Sequence, residues 1–460
     1  MSHRFDPSIL REYDIRGSVG RTLGRDDAVA VGRSFATRVR RAGGSRVAVG
    51  RDGRKTSPML EAALIEGLTA SGVDVLRVGV GPTPMLYFAE ATLGVDGGVQ
   101  VTGSHNPPQD NGFKMMLQGA AFYGDDVQDL ARLAAAGDWE EGAGDVSEAD
   151  VIDAYVARLI AGHGGGAFRI GWDAGNGAAG PVIEKLVKLL PGEHHLLFTD
   201  IDGDFPNHHP DPTIEANLAD LKRLVADKRL DFGLAFDGDG DRIGAVDGLG
   251  RVVWGDQILS ILVEPVLQEE PGAAIVADIK SSNYLFDRIA ELGGRPIMWK
   301  SGHSVLKAKM KEEGAPIAGE LSGHIFFGQD YYGFDDAQYA AVRLIRALHL
   351  IGMGLTEAHD RMPPLVNTPE LRFPVDPARK AAVVAEVAAR LEEADGLEVN
   401  RIDGVRVTTP DGWWLLRASN TQDVLVVRAE AEGEAALTRL LATVDGQLGE
   451  SGVSRGHELP

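Results

Sequence analysis

The run Phe232-Gly233-Leu234-Ala235-Phe236-Asp237-Gly238-Asp239-Gly240-Asp241-Arg242 decides the fold. Its first half carries no polar side chain, the mark of a strand buried on both faces of a sheet. Its second half sets three carboxylates at alternate positions, spaced by glycine and closed by an arginine. Open α/β sheets hold their ligands beyond the carboxyl ends of such strands. A solvated Asp-Gly turn is the plain alternative, but three acids so close repel one another unless a cation sits among them. A calcium loop of the EF-hand kind needs glycine at its sixth place and glutamate at its twelfth. Arg242 and Gly248 stand there instead.

The same alternation extends in both directions. Short apolar runs at Ser45–Gly50, Val73–Val78, Phe168–Trp172 and Ala273–Ala277 predict further buried strands. Helical periodicity runs over Leu60–Ala70, Val182–Leu190, Leu218–Ala226, Tyr284–Leu292 and Val305–Lys311. Strands and helices alternating at this spacing argue for open, mostly parallel sheets covered by helices. Glycine-rich Gly162–Gly166 ends a helical stretch from Asp150 and marks a seam, and Met362-Pro363-Pro364 marks another. Past it the order changes. A helix over Ala378–Glu393 precedes strand-like runs at Val405–Thr409, Trp413–Arg417 and Val424–Arg428, then a last helix, the pattern of a small α+β domain. The tail after Gly452 is expected to fray.

Composition sets outer bounds. A chain of 460 residues exceeds one ordinary core, so three or four domains are expected. Hydrophobic and charged contents of 44% and 25% are those of a soluble globular protein. No apolar run is long enough to span a bilayer, and the polar start from Met1 to Gly17 does not read as a signal peptide. The absence of cysteine excludes disulfides, thiolate metal sites and thiol catalysis, and fits the cytoplasm. A net charge of −22 opposes nonspecific nucleic-acid binding. Any phosphate site here is therefore a local cluster of Arg and Lys working against the overall field.

Thr102-Gly103-Ser104-His105-Asn106-Pro107-Pro108 complements the aspartates. By itself Ser104 reads as a turn serine, and Gly-x-Ser-x-Gly is absent, so it is no hydrolase elbow. The proline pair would stiffen the loop around its hydroxyl. A hydroxyl nucleophile together with an all-oxygen cage for a hard divalent cation is what phosphoryl transfer needs, and three carboxylates with one seryl phosphate oxygen suit Mg²⁺. One rival signal exists: Gly175-Asn176-Gly177-Ala178-Ala179-Gly180 is a literal dinucleotide fingerprint with Asp200 downstream. A tight strand–helix turn explains these glycines without NAD, and Pro181 follows the third glycine directly.

Two further stretches, Gly319-Glu320-Leu321-Ser322-Gly323-His324 and Arg417-Ala418-Ser419-Asn420-Thr421, complete an ordered set. The four stand in the order of the four signatures of the α-D-phosphohexomutases, and the chain resembles the bacterial phosphomannomutase/phosphoglucomutase branch of that family over nearly its whole length. Tyr13-Asp14-Ile15-Arg16-Gly17, Asn111-Gly112-Phe113-Lys114, Lys280 and Gly302-His303-Ser304 match as well. The resemblance implies an α/β fold: three related α/β domains with mixed, mostly parallel sheets plus a C-terminal α+β domain around a central cleft. Their expected spans are 1–150 for the phosphoserine, 151–255 for the metal, 256–365 for the sugar and 366–460 for a phosphate.

The implied activity is reversible conversion of hexose 1-phosphates and 6-phosphates of mannose and glucose. It would run through phosphorylated Ser104 and a bound glucose or mannose 1,6-bisphosphate, with Mg²⁺ as cofactor. The resemblance gives catalysis to Ser104, His105, Lys114, Arg242 and His324, and the metal to Ser104, Asp237, Asp239 and Asp241. Substrate contacts would come from Tyr13, Arg16, Lys280, His303, Glu320, Ser322, Arg417, Ser419, Asn420 and Thr421. Which of Lys114, His303 and His324 acts as acid or base in each direction stays open. Each residue has a bland reading: a surface lysine for Lys114, a structural imidazole for His324, a polar turn for Arg417–Thr421. Leu321 stands where this branch is expected to carry methionine, a swap that preserves apolar volume. A phosphoglucosamine mutase is the nearest alternative, and a sugar-phosphate sensor without catalysis is a further one. Expected partners are small sugar phosphates, with neither nucleic acid nor membrane, and a monomer or weak homodimer in the cytoplasm.

Overall fold

Three successive sheets repeat one wiring. The computed structural model, which describes residues 2–392, 397–419 and 424–454, places a first strand of each sheet between a second and a third, both parallel to it. A fourth strand returns antiparallel beside the third. In the first sheet these strands are Arg46–Arg51, Asp74–Val80, Gly97–Val101 and Asp110–Leu117. The second uses Phe168–Asp173, Gly192–Leu197, Phe232–Phe236 and Ile243–Asp247. The third uses Ala274–Asp278, Arg295–Trp299, Ile317–Gly319 and Ile325–Phe327. The parallel centre with an antiparallel margin makes each sheet mixed. The connection from third to fourth strand is a short hairpin loop, and the three loops carry Ser104, the aspartates Asp237–Asp241, and Glu320–His324. One position in a repeated topology thus supplies three of the four motifs.

Packing turns those loops toward one another. The first sheet and the helices Arg25–Arg41, Ser57–Ala70 and Asp125–Ala136 build a core of their own around Phe35, Leu64, Phe113 and Leu130. The helix Thr83–Thr92 departs from it. Leu86 and Phe88 pack with Tyr155 and Phe334 in a core shared by the second and third sheets. That shared apolar surface holds the three units in fixed relation, since burial is favourable in proportion to area. The fourth sheet is antiparallel throughout and is covered by Lys380–Glu392 and Glu434–Glu450. Its link to the rest is more polar. Buried Arg406, its guanidinium 3.6 Å from the Trp413 ring centre, donates to the carbonyls of Ile279 and Ser281.

The sequence-predicted elements appear with small shifts. The helix expected at Val182–Leu190 is Gly180–Leu186, because Pro181 suits a first turn and the chain unwinds before Gly192. The dinucleotide-like glycines serve packing. Gly175 and Asn176 take φ of +55° and +57°, a Cβ on Gly180 would collide with the Thr199 carbonyl, and one on Gly177 would lie 2.8 Å from the Gly238 carbonyl. Among the described residues no helix is long and apolar enough to cross a membrane.

Candidate active site

Ser104 is held by its backbone. It takes φ of +49°, a left-handed conformation that costs a non-glycine residue about 1–2 kcal/mol and persists only where the surroundings enforce it. Arg54 provides the enforcement. Its fully buried guanidinium donates to the carbonyls of Ser104 and Asn106 at 2.6 Å each and to that of Asp110 at 3.0 Å. Asp52 pairs with Arg54 at 3.1 Å and accepts from the Thr102 hydroxyl and the Gly103 amide. Ser104 Oγ then lies 2.8 Å from Asp237 Oδ2 and 3.1 Å from His105 Nδ1. Burial, with Arg242, Arg16 and Lys114 nearby, pushes the His105 imidazole well below its ordinary pKa, toward the neutral form.

The three aspartates are fully buried, and one lysine faces two of them. Lys114 Nζ donates to Asp239 Oδ2 at 2.8 Å and also to Asp241 Oδ2. Burial alone would lower its pKa, but Asp239, Asp241 and Asp237 hold it above the usual lysine value. Burial and mutual repulsion push Asp237 and Asp241 up. Among the described residues nothing hydrogen-bonds the buried oxygens Asp239 Oδ1 and Asp241 Oδ1. Carboxylate oxygens of all three lie within 4.8 Å of one another, a donor set that fits one hard divalent cation.

The third loop faces the second. Arg242 Nε donates to His324 Nε2 at 3.0 Å, while His324 Nδ1 lies 2.9 Å from Asp335 Oδ2. His303 stacks on His324 with ring centres 5.2 Å apart, and burial beside Lys307 holds His303 well below its ordinary pKa. Burial opposes the charge on Asp335, but Lys307, His324 and His303 outweigh it and hold its carboxyl well below the usual range. Lys280 Nζ sits 3.3 Å from both Glu320 Oε1 and Glu370 Oε1. Ser322 Oγ is buried and has no hydrogen-bond partner among the described residues.

Arg16 donates to Asn106 Oδ1 of the serine loop at 2.7 Å, and Tyr13 OH donates to the Ser301 carbonyl at 2.7 Å. From the fourth sheet, buried Arg417 pairs with Asp403, and Ser419 follows it at the strand end. Asn420 and Thr421 lie outside the described residues. Ser104, Lys114, Arg242, His324 and the aspartates therefore converge directly, with Tyr13, Arg16, Lys280, His303 and Arg417 around them.

Models of the four phosphoglucomutase/phosphomannomutase domains match in order: α/β/α domain I over residues 7–140, domain II over 153–250, domain III over 254–365 and the C-terminal domain over 370–447. The chain belongs to the phosphoglucomutase/phosphomannomutase family. A phosphomannomutase/phosphoglucomutase of Pseudomonas aeruginosa is 40% identical over 442 residues, covering 96% of this chain and 95% of that protein. A phosphoglucomutase of Neisseria gonorrhoeae is 43% identical over 437 residues, covering 94% and 95%. A crystal structure of a phosphoglucomutase/phosphomannomutase family protein from Burkholderia thailandensis superposes with a TM-score of 0.91 at 44% identity, covering 97% of this chain and 98% of that one. The chain is thus an enzyme of intramolecular phosphoryl transfer.

Several residues of this phosphohexomutase site escaped the sequence reading. Asp52 and Arg54 follow the strand Arg46–Arg51 directly, and a charged Arg-Asp-Gly-Arg cluster at a strand's carboxyl end was the available signal. Asp335 opens a buried acid pair before the helix Ala337–Ile351. Asp403 and Glu370 carried no local signal: pairing of the strands Val405–Thr409 and Gly412–Ala418 brings Asp403 to Arg417, and docking of the fourth sheet brings Glu370 to Lys280.

Proposed function

We propose that this enzyme interconverts the 1- and 6-phosphates of mannose and glucose through phosphorylated Ser104 and a bound hexose 1,6-bisphosphate. The observation that carries the reading is the 2.8 Å approach of Ser104 Oγ to Asp237 Oδ2 across two sheets. It sets a hydroxyl beside three carboxylates, two of which have oxygens without partners among the described residues. Mg²⁺ fits these donors and, when bound, supplies positive charge against the oxygens of the transferring group.

In the forward half-reaction a sugar hydroxyl attacks the phosphorus of phosphorylated Ser104. The P–Oγ bond breaks with its electron pair returning to Oγ, and the hydroxyl proton leaves to a base. His324 takes it at Nε2 once the Arg242 N–H that this lone pair accepts has moved away. His105 neighbours the seryl oxygen. Lys114, Arg242 and Arg16 gather positive charge on a chain of net charge −22, while Glu320 and Ser322 read sugar hydroxyls with Lys280 and His303 alongside. Arg417, Ser419, Asn420 and Thr421 hold the phosphate that is not transferred. The bisphosphate then turns over in the cleft and returns its other phosphate to Ser104. Functional spans of 1–150, 151–255, 256–365 and 366–460 follow this division of labour. The relatives named for phosphoglucomutase and phosphomannomutase support glucose and mannose over glucosamine.

Intact mass should show a fraction of the wild type one phosphoryl group heavier, absent from Ser104→Ala. That variant should lose activity by several orders of magnitude, without rescue by glucose 1,6-bisphosphate, whereas dephosphorylated wild type should recover. Near-normal turnover by Ser104→Ala ends the phosphoserine reading. Rates on mannose, glucose and glucosamine 1-phosphates test the sugar, and titration with NAD tests the dinucleotide alternative.

A further inference from the structure

Arg417 is gripped along one edge. Its Nε donates to Asp403 Oδ2 at 3.0 Å and its Nη2 to Asp403 Oδ1 at 3.3 Å. A guanidinium offers two forks, one along the Nε–Nη2 side and one at the Nη1–Nη2 end. Asp403 fills the side fork, so a phosphate has to be met through the end fork. Both side chains are mostly buried, 9% and 16% exposed, where a bidentate ion pair keeps its geometry.

The same carboxylate reaches across to the third sheet. Asp403 Oδ2 accepts the Ser301 amide at 3.1 Å, and Ser301 is a junction. Its carbonyl accepts the Tyr13 hydroxyl at 2.7 Å, and its Oγ donates to Asp278 Oδ2 at 2.9 Å. His303, two residues on, opens the helix His303–Glu313. Backbone shape supports both sides of the contact. Gly302 has φ of +129° and a Cβ there would collide with the Tyr13 ring, while at Gly404, φ +87°, a Cβ would lie 2.6 Å from Arg417 Cβ.

We propose that Asp403 is a positioning residue for the phosphate subsite: it aims the end fork of Arg417 and, through the Ser301 amide, fixes that fork relative to the segment bearing His303. The proposal rests on the reading of Arg417 as the contact for the non-transferred phosphate. A carboxylate that merely competed with phosphate for Arg417 would have the opposite effect on affinity.

Steady-state kinetics of the full chain separate these cases, using glucose 1-phosphate and mannose 1-phosphate with Arg417→Ala, Asp403→Ala, Asp403→Asn, Asp403→Glu and the Asp403→Ala/Arg417→Ala pair. Asp403→Ala should raise KM about tenfold for both sugars with a smaller change in kcat, as expected when a binding group is kept but misaimed. Asp403→Asn, which keeps the shape, should show a smaller rise of the same kind, and Asp403→Glu should recover part of the loss. The double variant should be no worse than Arg417→Ala alone, because the two residues act as one unit. A KM that falls on removal of Asp403, or losses that simply add in the double variant, overturns the proposal. An unchanged KM in Arg417→Ala would instead refute the phosphate reading beneath it.

Discussion

Gly238→Ala probes the seam between the serine loop and the aspartate loop with a single methyl group. An alanine Cβ at this position would lie 2.5 Å from the Ser104 carbonyl oxygen and 3.3 Å from Pro210 Cγ, closer to the oxygen than real Cβ atoms are found. Restoring an ordinary van der Waals contact requires roughly 0.9 Å of movement. Ser104 resists moving, because its carbonyl also accepts from Arg54 Nη2 at 2.6 Å. Gly238 resists as well, since its carbonyl accepts from the Ala178 amide at 2.9 Å. The displacement therefore falls on the gap between the loops, and the 2.8 Å approach of Ser104 Oγ to Asp237 opens. A positioning error of this size costs about a hundredfold in rate, or about 2.7 kcal/mol in the barrier. A coupled mutase assay should show kcat down by about that factor, with KM within a few-fold because the sugar and distal phosphate contacts are untouched. A kcat within threefold of wild type would refute the claim that this seam sets the geometry of transfer.

Asp239→Asn removes one of the clustered charges while keeping shape, so Mg²⁺ affinity and turnover should both fall; a wild type that works at full rate after exhaustive chelation would show that the loop is only a turn. Asp336 offers a pH test away from the cation site. Burial pushes its carboxyl up to about 6 from 3.8, despite hydrogen bonds from the hydroxyls of Tyr331 and Tyr155. The folded chain then holds a proton that the unfolded chain has released, so this group's contribution is full below about pH 4 and is lost as pH rises through 6, by up to about 3 kcal/mol. Urea unfolding of wild type against Asp336→Asn should show the stability difference shifting in favour of the variant between pH 4 and pH 7, and a constant difference would refute the assignment.

Legibility followed how local the physical cause was. The strand Phe232–Phe236 is read with its observed bounds because a two-sided burial writes itself as an uninterrupted apolar run. Gly192–Leu197, with Glu193, His194 and His195, and Asp110–Leu117, with Asn111 and Lys114, lack that signature. The first is an edge strand with partly exposed side chains. The second is buried, but its polar groups find partners elsewhere in the fold. Lys114 is the clearest case: a surface lysine is the natural local reading, yet it is 3% exposed and its ammonium is satisfied by Asp239 and Asp241.

The sequence by itself determined the alternating α/β units, the change of order after Met362, the hydroxyl and carboxylate chemistry, and the family. These depend on periodicity and on residue types at short spacing, which chain order preserves. Only the tertiary structure decided that the Ser104, Asp237–Asp241 and Glu320–His324 motifs occupy equivalent hairpin loops of three sheets. It also decided that Arg54 holds the serine loop, that Asp335 faces the histidines, and that Asp403 takes one edge of Arg417. Each of these is an act of charge or hydrogen-bond compensation in a buried setting. Such compensation is governed by distance in space, and that distance is set only once strands and loops remote in sequence have come together.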